Sequence, residues 1–506
     1  MHLFMRGCFK LIKKFSVVIL AISLIILLPK YALGLDKPIV SFVGVSQSPL
    51  IQGDKEKFYI TSKNAKEVQY RIFLYEENQN LWTELTTGYT AFIDAQTPYE
   101  LSPEKVFKIG KHKLSVWVRG KDSSANYDSF YVVNLNCVNR DDSNRVYLDG
   151  DIKVEKDAYM VGEDIEVNGI ENISGMQGPY KYKLHIYNAT KNQWTTHITD
   201  YSEDKIVWQP TEAGVYVLDV WAMSANSTLW SKVTEDSHAN AYEGWKLKVI
   251  NVTKTNTSLT SYNYSLDNIT DIQYGLGLKN VLNSPLTDTS GKWLSADRNQ
   301  IRFYVDPLNF TSGQGKYQFL KLNYTKGISV NEINTVLQGK GKLEKMGQVF
   351  SDSCIKNDIS PAYLISHAFL ETGNGTSTLA TGYIVTKVNG ENVKPGVTFN
   401  LFGIGASAVD EAESIRLGSE CAYTKGWFSV QQAIAGGADY ISEKYINNAT
   451  YKQNTLYKMR WNPNTTGTHQ YATDIGWASK QTKNIKGIMD QFINTNLYFD
   501  VPKYLY

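Results

Sequence analysis

One strand-like segment of this chain occurs twice. Gln69-Tyr70-Arg71-Ile72-Phe73-Leu74-Tyr75, trailed by Leu81-Trp82-Thr83, returns as Lys181-Tyr182-Lys183-Leu184-His185-Ile186-Tyr187, trailed by Gln193-Trp194-Thr195. A second pair accompanies it: Gly110-Lys111-His112-Lys113-Leu114-Ser115-Val116-Trp117 and Gly214-Val215-Tyr216-Val217-Leu218-Asp219-Val220-Trp221. A Gly-acidic turn opens each copy, at Gly53-Asp54 and Gly162-Glu163. Within these segments apolar and polar residues alternate, bounded by Gly, Asn and Asp. Successive side chains of a strand face opposite ways, so the alternation predicts half-buried antiparallel strands. Two copies predict two all-β immunoglobulin-like sandwich modules, over 37–138 and 146–254. The matching Trp and Tyr residues are expected to pack within or between strands; the sharper alternative is a face that stacks on sugar rings. Neither module holds a cluster of acids, histidines or cysteines suited to chemistry, so both read as binding or spacer domains.

At 506 residues the chain has room for several domains. Residues 1–34 read as a secretory signal peptide. Arg6, Lys10, Lys13 and Lys14 precede an apolar run from Phe15 to Leu28, and Ala32-Leu33-Gly34 has the small-x-small cleavage pattern. The run of about 14 residues is short of the ~20 that a membrane span needs. The mature chain is expected to be secreted, touching the membrane only through this leader before cleavage. Without the five basic residues of the leader, 47 of the 52 basic side chains face 50 acidic ones, a net of −3. That balance gives no support to nucleic-acid binding. Cys137, Cys354 and Cys421 remain, too few for a disulfide scaffold; one bridge, Cys354–Cys421, would lie within a single domain.

From about Ser258 helical spacing replaces strand-like alternation. The stretch from Ser360 to Ser377 reads as a short helix with both ends marked: Ser360 as cap, Pro361 at the first helical position, Gly373 and Gly375 as the stop. Glu371 falls at its end, about 20° from Leu364 in projection, at the edge of the apolar stripe. Partial burial and the negative end of the helix dipole both disfavour the anion there. A raised pKa suits a general acid. Other helices are expected over 266–274, 329–337 with a Ser329/Glu332 capping box, 343–354, 429–445 with Gly436-Gly437 allowing close packing, and 474–492. Residues 382–399 predict a hairpin turned at Asn389-Gly390. Residues 258–506 are therefore expected to form a mostly α, lysozyme-like domain with a small β lobe beside Glu371.

Four stretches in this order carry a family resemblance: the one around Glu371, then Asn400-Leu401-Phe402-Gly403-Ile404-Gly405-Ala406, Leu456-Tyr457-Lys458-Met459-Arg460-Trp461-Asn462-Pro463, and Gly467-Thr468-His469-Gln470-Tyr471-Ala472-Thr473-Asp474. Together they resemble the glucosaminidase domain of bacterial autolysins, glycoside hydrolase family 73. The resemblance covers about 258–498. It implies an endo-β-N-acetylglucosaminidase of peptidoglycan glycan strands, secreted and wall-associated, with Glu371 as catalytic acid and Tyr471 beside it. It also implies that Asn400, Phe402, Gly403, Trp461, His469 and Gln470 lie near the substrate groove. The β modules would then be candidates for binding a wall polymer.

Glycoside hydrolysis usually pairs the acid with a second carboxylate. Asp410 and Glu391 are candidates, with Glu420 and Asp474 weaker. Substrate assistance by a 2-acetamido group is the alternative. A muramidase or lytic transglycosylase using the same groove, and a non-catalytic wall-binding adhesin, stay open as readings. No His-Glu-x-x-His or Cys-x-x-Cys occurs, so neither metal nor cofactor is expected. His367 and His469 are far apart, and no Cys or Ser stands in a nucleophile signature.

Overall fold

The computed structural model describes residues 37–203, 205–226, 244–279, 284–289, 292–406 and 410–505; the side chains of 196–200 are not among them, and the predicted leader lies outside the described residues. The chain divides into two units, Met1–Thr253 and Lys254–Tyr506.

In the first unit the duplicated segments pair in the same way. Glu67–Glu76 runs antiparallel to Gly110–Gly120, with Arg71 opposite Trp117 and Leu74 opposite Leu114. Tyr180–Asn188 runs antiparallel to Gly214–Ser224, with Lys183 opposite Trp221 and Ile186 opposite Leu218. The strand order repeats as well. Leu50–Ile51, Ser129–Val138, Gly110–Gly120, Glu67–Glu76 and Leu81–Glu84 correspond to Ala158–Met160, Gly244–Thr253, Gly214–Ser224, Tyr180–Asn188 and Gln193–Ser202. In both copies the short first strand is parallel to its neighbour. The alternation does what its period predicts: Val68, Tyr70, Ile72 and Leu74 are fully buried, and the residues between them are not. They pack with Phe58, Ile60 and Phe107, while Leu184, Ile186, Leu218 and Ile250 form the second core.

The two copies are not independent beads. Gln47–Ser48, from the first, pairs with Gly244–Thr253 of the second, Ser48 opposite Trp245. Phe42 and Tyr59 join Tyr187, Val217 and Leu247 in a shared cluster, and Phe42 stacks on Tyr187 with centroids 4.4 Å apart. The repeated tryptophans stand on the sheet faces turned away from their own modules' cores: Trp117 lies on Phe73 at 4.8 Å, and the buried Trp221 lies on Trp245 at 4.9 Å, on the face shared by the two copies.

In the second unit, strand Thr255–Ser265 runs parallel to Leu497–Leu505, clasping two segments more than 200 residues apart, a figure set by the pairing of Thr255 with Leu497. Asp500 on this clasp forms a buried ion pair with Lys458 at 2.6 Å. Thr260 Oγ1 donates to the same carboxylate, which leaves it well supplied with partners. Helices Leu266–Lys279, Arg298–Val305, Val330–Leu337, Gly347–Asn357, Pro361–Thr372, Glu411–Thr424, Val430–Ile441, Leu456–Trp461 and Trp477–Met489 surround one core that includes Phe350, Leu364, Ala368, Leu401 and Ile434. The Ser329/Glu332 capping box is present. The hairpin Tyr383–Val388 and Glu391–Thr398 turns at Asn389 and Gly390, both at positive φ. Gly436 and Gly437 admit Trp427 and Phe402: an added Cβ would come within 2.0 Å of either ring.

Three expectations change. Ser360 makes no side-chain cap; it is buried, and its amide donates to Leu322 O at 2.7 Å. The helix expected from 343 starts at Gly347, after Lys345 turns the chain at φ +65. Cys137, Cys354 and Cys421 are all free, so Cys354 and Cys421 do not bridge.

Asp219 lies on the sheet face shared by the two copies, buried between Val217 and Trp221, and its Oδ1 has no hydrogen-bond partner. Burial pushes its pKa up to about 7, against weaker opposing effects of Trp221 and Lys183. A carboxyl that holds its proton more tightly when folded contributes stability that is present at low pH. That contribution is lost as pH rises from its ordinary 3.8 to about 7. Each tenfold in proton affinity is worth about 1.4 kcal/mol. Asp219→Asn should therefore flatten the fall in the first unit's unfolding midpoint between pH 4 and 7, measured by thermal melts of the full chain. The gain over the unaltered protein should be largest above pH 7.

Candidate active site

The helix Pro361–Thr372 is buried from Pro361 to Ala368 and reaches solvent only in its last turn, where Gly373 stops it at φ +54. Glu371 stands in that turn with about a third of its side chain exposed (34%). Burial raises its pKa above the ordinary carboxyl value. One turn earlier, His367 lies on the same face, its Nε2 3.7 Å from Glu371 Oε1. This is no ion pair, because burial holds the imidazole pKa down at about 4 and the ring is neutral. His367 Nε2 and the Tyr471 hydroxyl are hydrogen-bonded at 2.7 Å. Burial also raises the phenol's pKa well above its usual value, so Tyr471 stays protonated.

Tyr471 is held from behind by the helix Leu456–Trp461. Its amide donates to Met459 O at 2.9 Å, and the buried Arg460 donates to the carbonyls of Thr473 and Asp474. The loop 400–406 is folded by Asn400. Its Oδ1 accepts from the amides of Phe402 and Ile404, and its Nδ2 donates to the carbonyls of Ile404 and Gly418. This loop brings Gly403 against the acid: a Cβ there would stand 2.9 Å from Glu371 Oε2, and φ is +63. Phe402 meets His367 edge-on at 5.7 Å.

These groups border a cleft of about 310 Å³ whose lining includes Tyr363, Ser366, His367, Glu371, Tyr471 and Trp477, with Glu371 its only carboxylate among the described residues. A broader recess of about 990 Å³ adjoins it at Tyr471 and Trp477, lined also by Trp293, Gln470 and Asp474. Rings follow one another along this side. Tyr451 stacks on His469 at 3.9 Å, Tyr445 lies 5.0 Å from both His469 and Tyr471, and Tyr471 lies 4.8 Å from Trp477. Gln470 is 8% exposed, and neither polar atom of its amide has a partner.

The expected site residues divide accordingly. Glu371, Tyr471 and Gly403 come together, Gln470 lines the adjoining recess, and His469 belongs to the ring series, its Nδ1 2.8 Å from Gln453 Oε1. Trp461 does not line the groove: it has no exposed surface, and the Arg460 guanidinium covers its ring at 3.9 Å. Asn400 and Phe402, 1% and 4% exposed, support the loop rather than offering surface to a ligand. Among the other acids, Asp410 caps helix Glu411–Thr424 through Glu413 N. Glu420 is held by Arg416 and the Asn389 amide. Asp474 binds Lys480 and the Gly476 amide. Glu391 is exposed beside the hairpin turn. His367 and the rings Tyr445, Tyr451, Trp293 and Trp477 were not singled out from sequence. His367 could have been, since a polar residue four before Glu371 shares its helical face.

Residues 347–490 match the family described as "Glucosaminidase: Mannosyl-glycoprotein endo-beta-N-acetylglucosaminidase". The chain is 46% identical over 214 residues to a "Beta-N-acetylglucosaminidase" of Bacillus subtilis (strain 168), covering 42% of this chain and 23% of that protein. It is 35% identical over 361 residues to a "Bifunctional autolysin" of Staphylococcus aureus (strain MSSA476), covering 70% of this chain and 28% of that protein. The chain thus spans about a quarter of the length of these curated relatives. Among solved structures, Staphylococcus aureus Autolysin E in complex with the muropeptide NAM-L-Ala-D-iGlu aligns at 33% identity and TM-score 0.38, over 48% of this chain and 98% of that one.

Gly403→Ala should cost at least about tenfold, ~1.4 kcal/mol, of any turnover that depends on Glu371, because the methyl would displace the carboxyl. Gly390→Ala, at φ +87 with nothing within 4 Å of the added Cβ, controls for backbone strain and should leave turnover unchanged. Circular dichroism of both variants checks that the fold persists.

Proposed function

From the premise that residues 347–490 form a glucosaminidase domain, we propose that the chain is a secreted, wall-associated endo-β-N-acetylglucosaminidase. It cuts peptidoglycan strands between N-acetylglucosamine and N-acetylmuramic acid, with Glu371 as general acid. The observation that carries this reading is the setting of Glu371: the one carboxylate among the described residues of its cleft, with its pKa raised by burial and a protonated tyrosine beside it. A proton that burial holds on the carboxyl to a higher pH than usual can pass to the glycosidic oxygen as the bond to the leaving sugar breaks. The names of the relatives, autolysin and β-N-acetylglucosaminidase, favour the same substrate class.

The second group is the substrate itself. Asp410, Glu420 and Asp474 are engaged in helix caps and ion pairs, and Glu391 stands exposed beside a hairpin turn. The carbonyl oxygen of the 2-acetamido group attacks C1 from the opposite face, a recognised route where a paired carboxylate is lacking. The Tyr471 hydroxyl steadies that group. The ring series from Tyr451 to Trp477 offers apolar faces to pyranose rings. The lysozyme-like domain, with its hairpin as the β lobe, is the hydrolytic part. The duplicated β modules are immunoglobulin-like and hold a wall polymer.

Mass spectrometry of digested wall should find N-acetylglucosamine at the new reducing ends; N-acetylmuramic acid there would overturn the bond assignment. Glu371→Gln should lose roughly 10²–10⁴ of turnover, with sedimentation on insoluble wall unchanged. Asp410→Asn and Glu391→Gln should each stay within about threefold of the unaltered enzyme. A loss in either as deep as that of Glu371→Gln would defeat substrate assistance. Activity should fall as pH rises through the raised Glu371 pKa, since the acid must carry its proton.

A further inference from the structure

We infer that His367 is a positioning residue whose Nε2–H donates to the Tyr471 hydroxyl oxygen, leaving the phenolic hydrogen to point into the cleft as a donor to substrate. The inference rests on the reading of this cleft as the hydrolytic site.

The argument begins with the one proton of a neutral imidazole. His367 Nε2 has two neighbours: Tyr471 Oη at 2.7 Å and Glu371 Oε1 at 3.7 Å. Its Nδ1 is buried and has no hydrogen-bond partner. If the proton sat on Nδ1, an N–H would be buried without an acceptor. Orphaned N–H groups are the rarer kind in folded proteins, and an unmet buried polar group costs about 1–3 kcal/mol. The Nε2 lone pair would also face the carboxyl oxygen of Glu371. With the proton on Nε2, only a lone pair goes unmet at Nδ1, and an N–H faces both oxygens. The second arrangement is the less costly on both counts. Burial keeps the ring neutral down to about pH 4, so this choice of tautomer holds over the working range.

The direction of the Tyr471 hydrogen follows. A phenol can donate one hydrogen bond. In the Nδ1–H tautomer Tyr471 would spend its hydrogen on Nε2 and offer the cleft only lone pairs. In the Nε2–H tautomer its oxygen accepts from His367 and its hydrogen is released toward the space that Glu371 lines. Because Tyr471 stays protonated, it is then a standing donor to a carbonyl or hydroxyl oxygen of the sugar. Phe402 and Tyr363, 5.7 and 5.6 Å from the imidazole, pack against it and restrain its plane.

Two substitutions and one spectrum test this. His367→Gln keeps an N–H within reach of Tyr471; His367→Leu removes it. His367→Leu should lower kcat at least about tenfold with KM within about threefold, and His367→Gln should recover most of that loss. In a Tyr471→Phe background His367→Leu should cost little more, because its effect runs through the hydroxyl. Nitrogen-15 NMR of the full chain labelled at histidine, assigned by the loss of one signal in His367→Gln, should show the Nε2–H form. A spectrum of the Nδ1–H form would overturn the inference. So would turnover of His367→Leu equal to the unaltered enzyme, or a folded His367→Gln as poor as His367→Leu. The spectrum needs no substrate, so failure of the Glu371 assignment and failure of the tautomer are read separately.

Discussion

Burial of one helix decides where chemistry can occur in this chain. Pro361–Thr372 is packed on every side through Ala368, so it is a core helix rather than a surface one. Such a helix has only its ends to offer solvent. Its N-terminal end is closed by Pro361 and the Ser360–Leu322 hydrogen bond, and its C-terminal end opens on the cleft. Glu371 is therefore placed where the core stops and water begins. Partial desolvation comes with that position, and the carboxyl needs no charged neighbour to shift it. Burial alone raises its pKa.

Around that helix end, side chains with no exposed polar surface shape the cleft indirectly. Asn400 uses its whole amide on four backbone groups, and the turn it makes carries Gly403 to the carboxyl. Arg460 is buried with its charge, against the usual preference for solvent, and holds the carbonyls that follow Tyr471. Trp461 lies under that guanidinium. Gly437 lets the Phe402 ring sit against its helix, and Phe402 in turn walls His367. These residues make the cleft by fixing the backbone around it. Their effect on a ligand is positional.

What could be read from sequence follows from how local each signal is. The Glu371 helix, the capping box at Ser329 and the Asn389-Gly390 hairpin are set by neighbours within a few residues, and each formed where expected, the Glu371 helix without its Ser360 side-chain cap. The duplicated strands were legible because the same pattern occurs twice. Motif residues were harder to sort. Asn400 and Trp461 stand in stretches that surround the site, but a linear motif does not distinguish a side chain that meets substrate from one that supports a turn. The pairing of Gln47–Ser48 with the second copy and the clasp of Thr255–Ser265 on Leu497–Leu505 depend on strands far apart in sequence. Nothing local encodes such partners. Gln470 lay between these cases: its position in the motif was legible, and its unpartnered amide was not.

The electrostatics of the three central groups constrain one another. His367 is neutral, Tyr471 is protonated, and the Glu371 pKa is raised, each by burial as the leading cause. A cationic imidazole at this position would stabilise the Glu371 anion and draw its pKa back down, which would spoil an acid. Keeping the histidine neutral protects the proton on the carboxyl. Among the described residues that line the cleft it also leaves no cation to answer a developing negative charge and no second carboxylate to answer a developing positive one; Asp474, in the adjoining recess, is taken up by Lys480. Charge that appears on the sugar must be met by neutral dipoles or by the substrate's own groups. In the proposed reaction an acetamido oxygen would supply the latter and a tyrosine hydroxyl the former. The neutrality that leaves the burial-raised pKa of Glu371 in place thus favours a reaction in which the substrate carries part of the machinery.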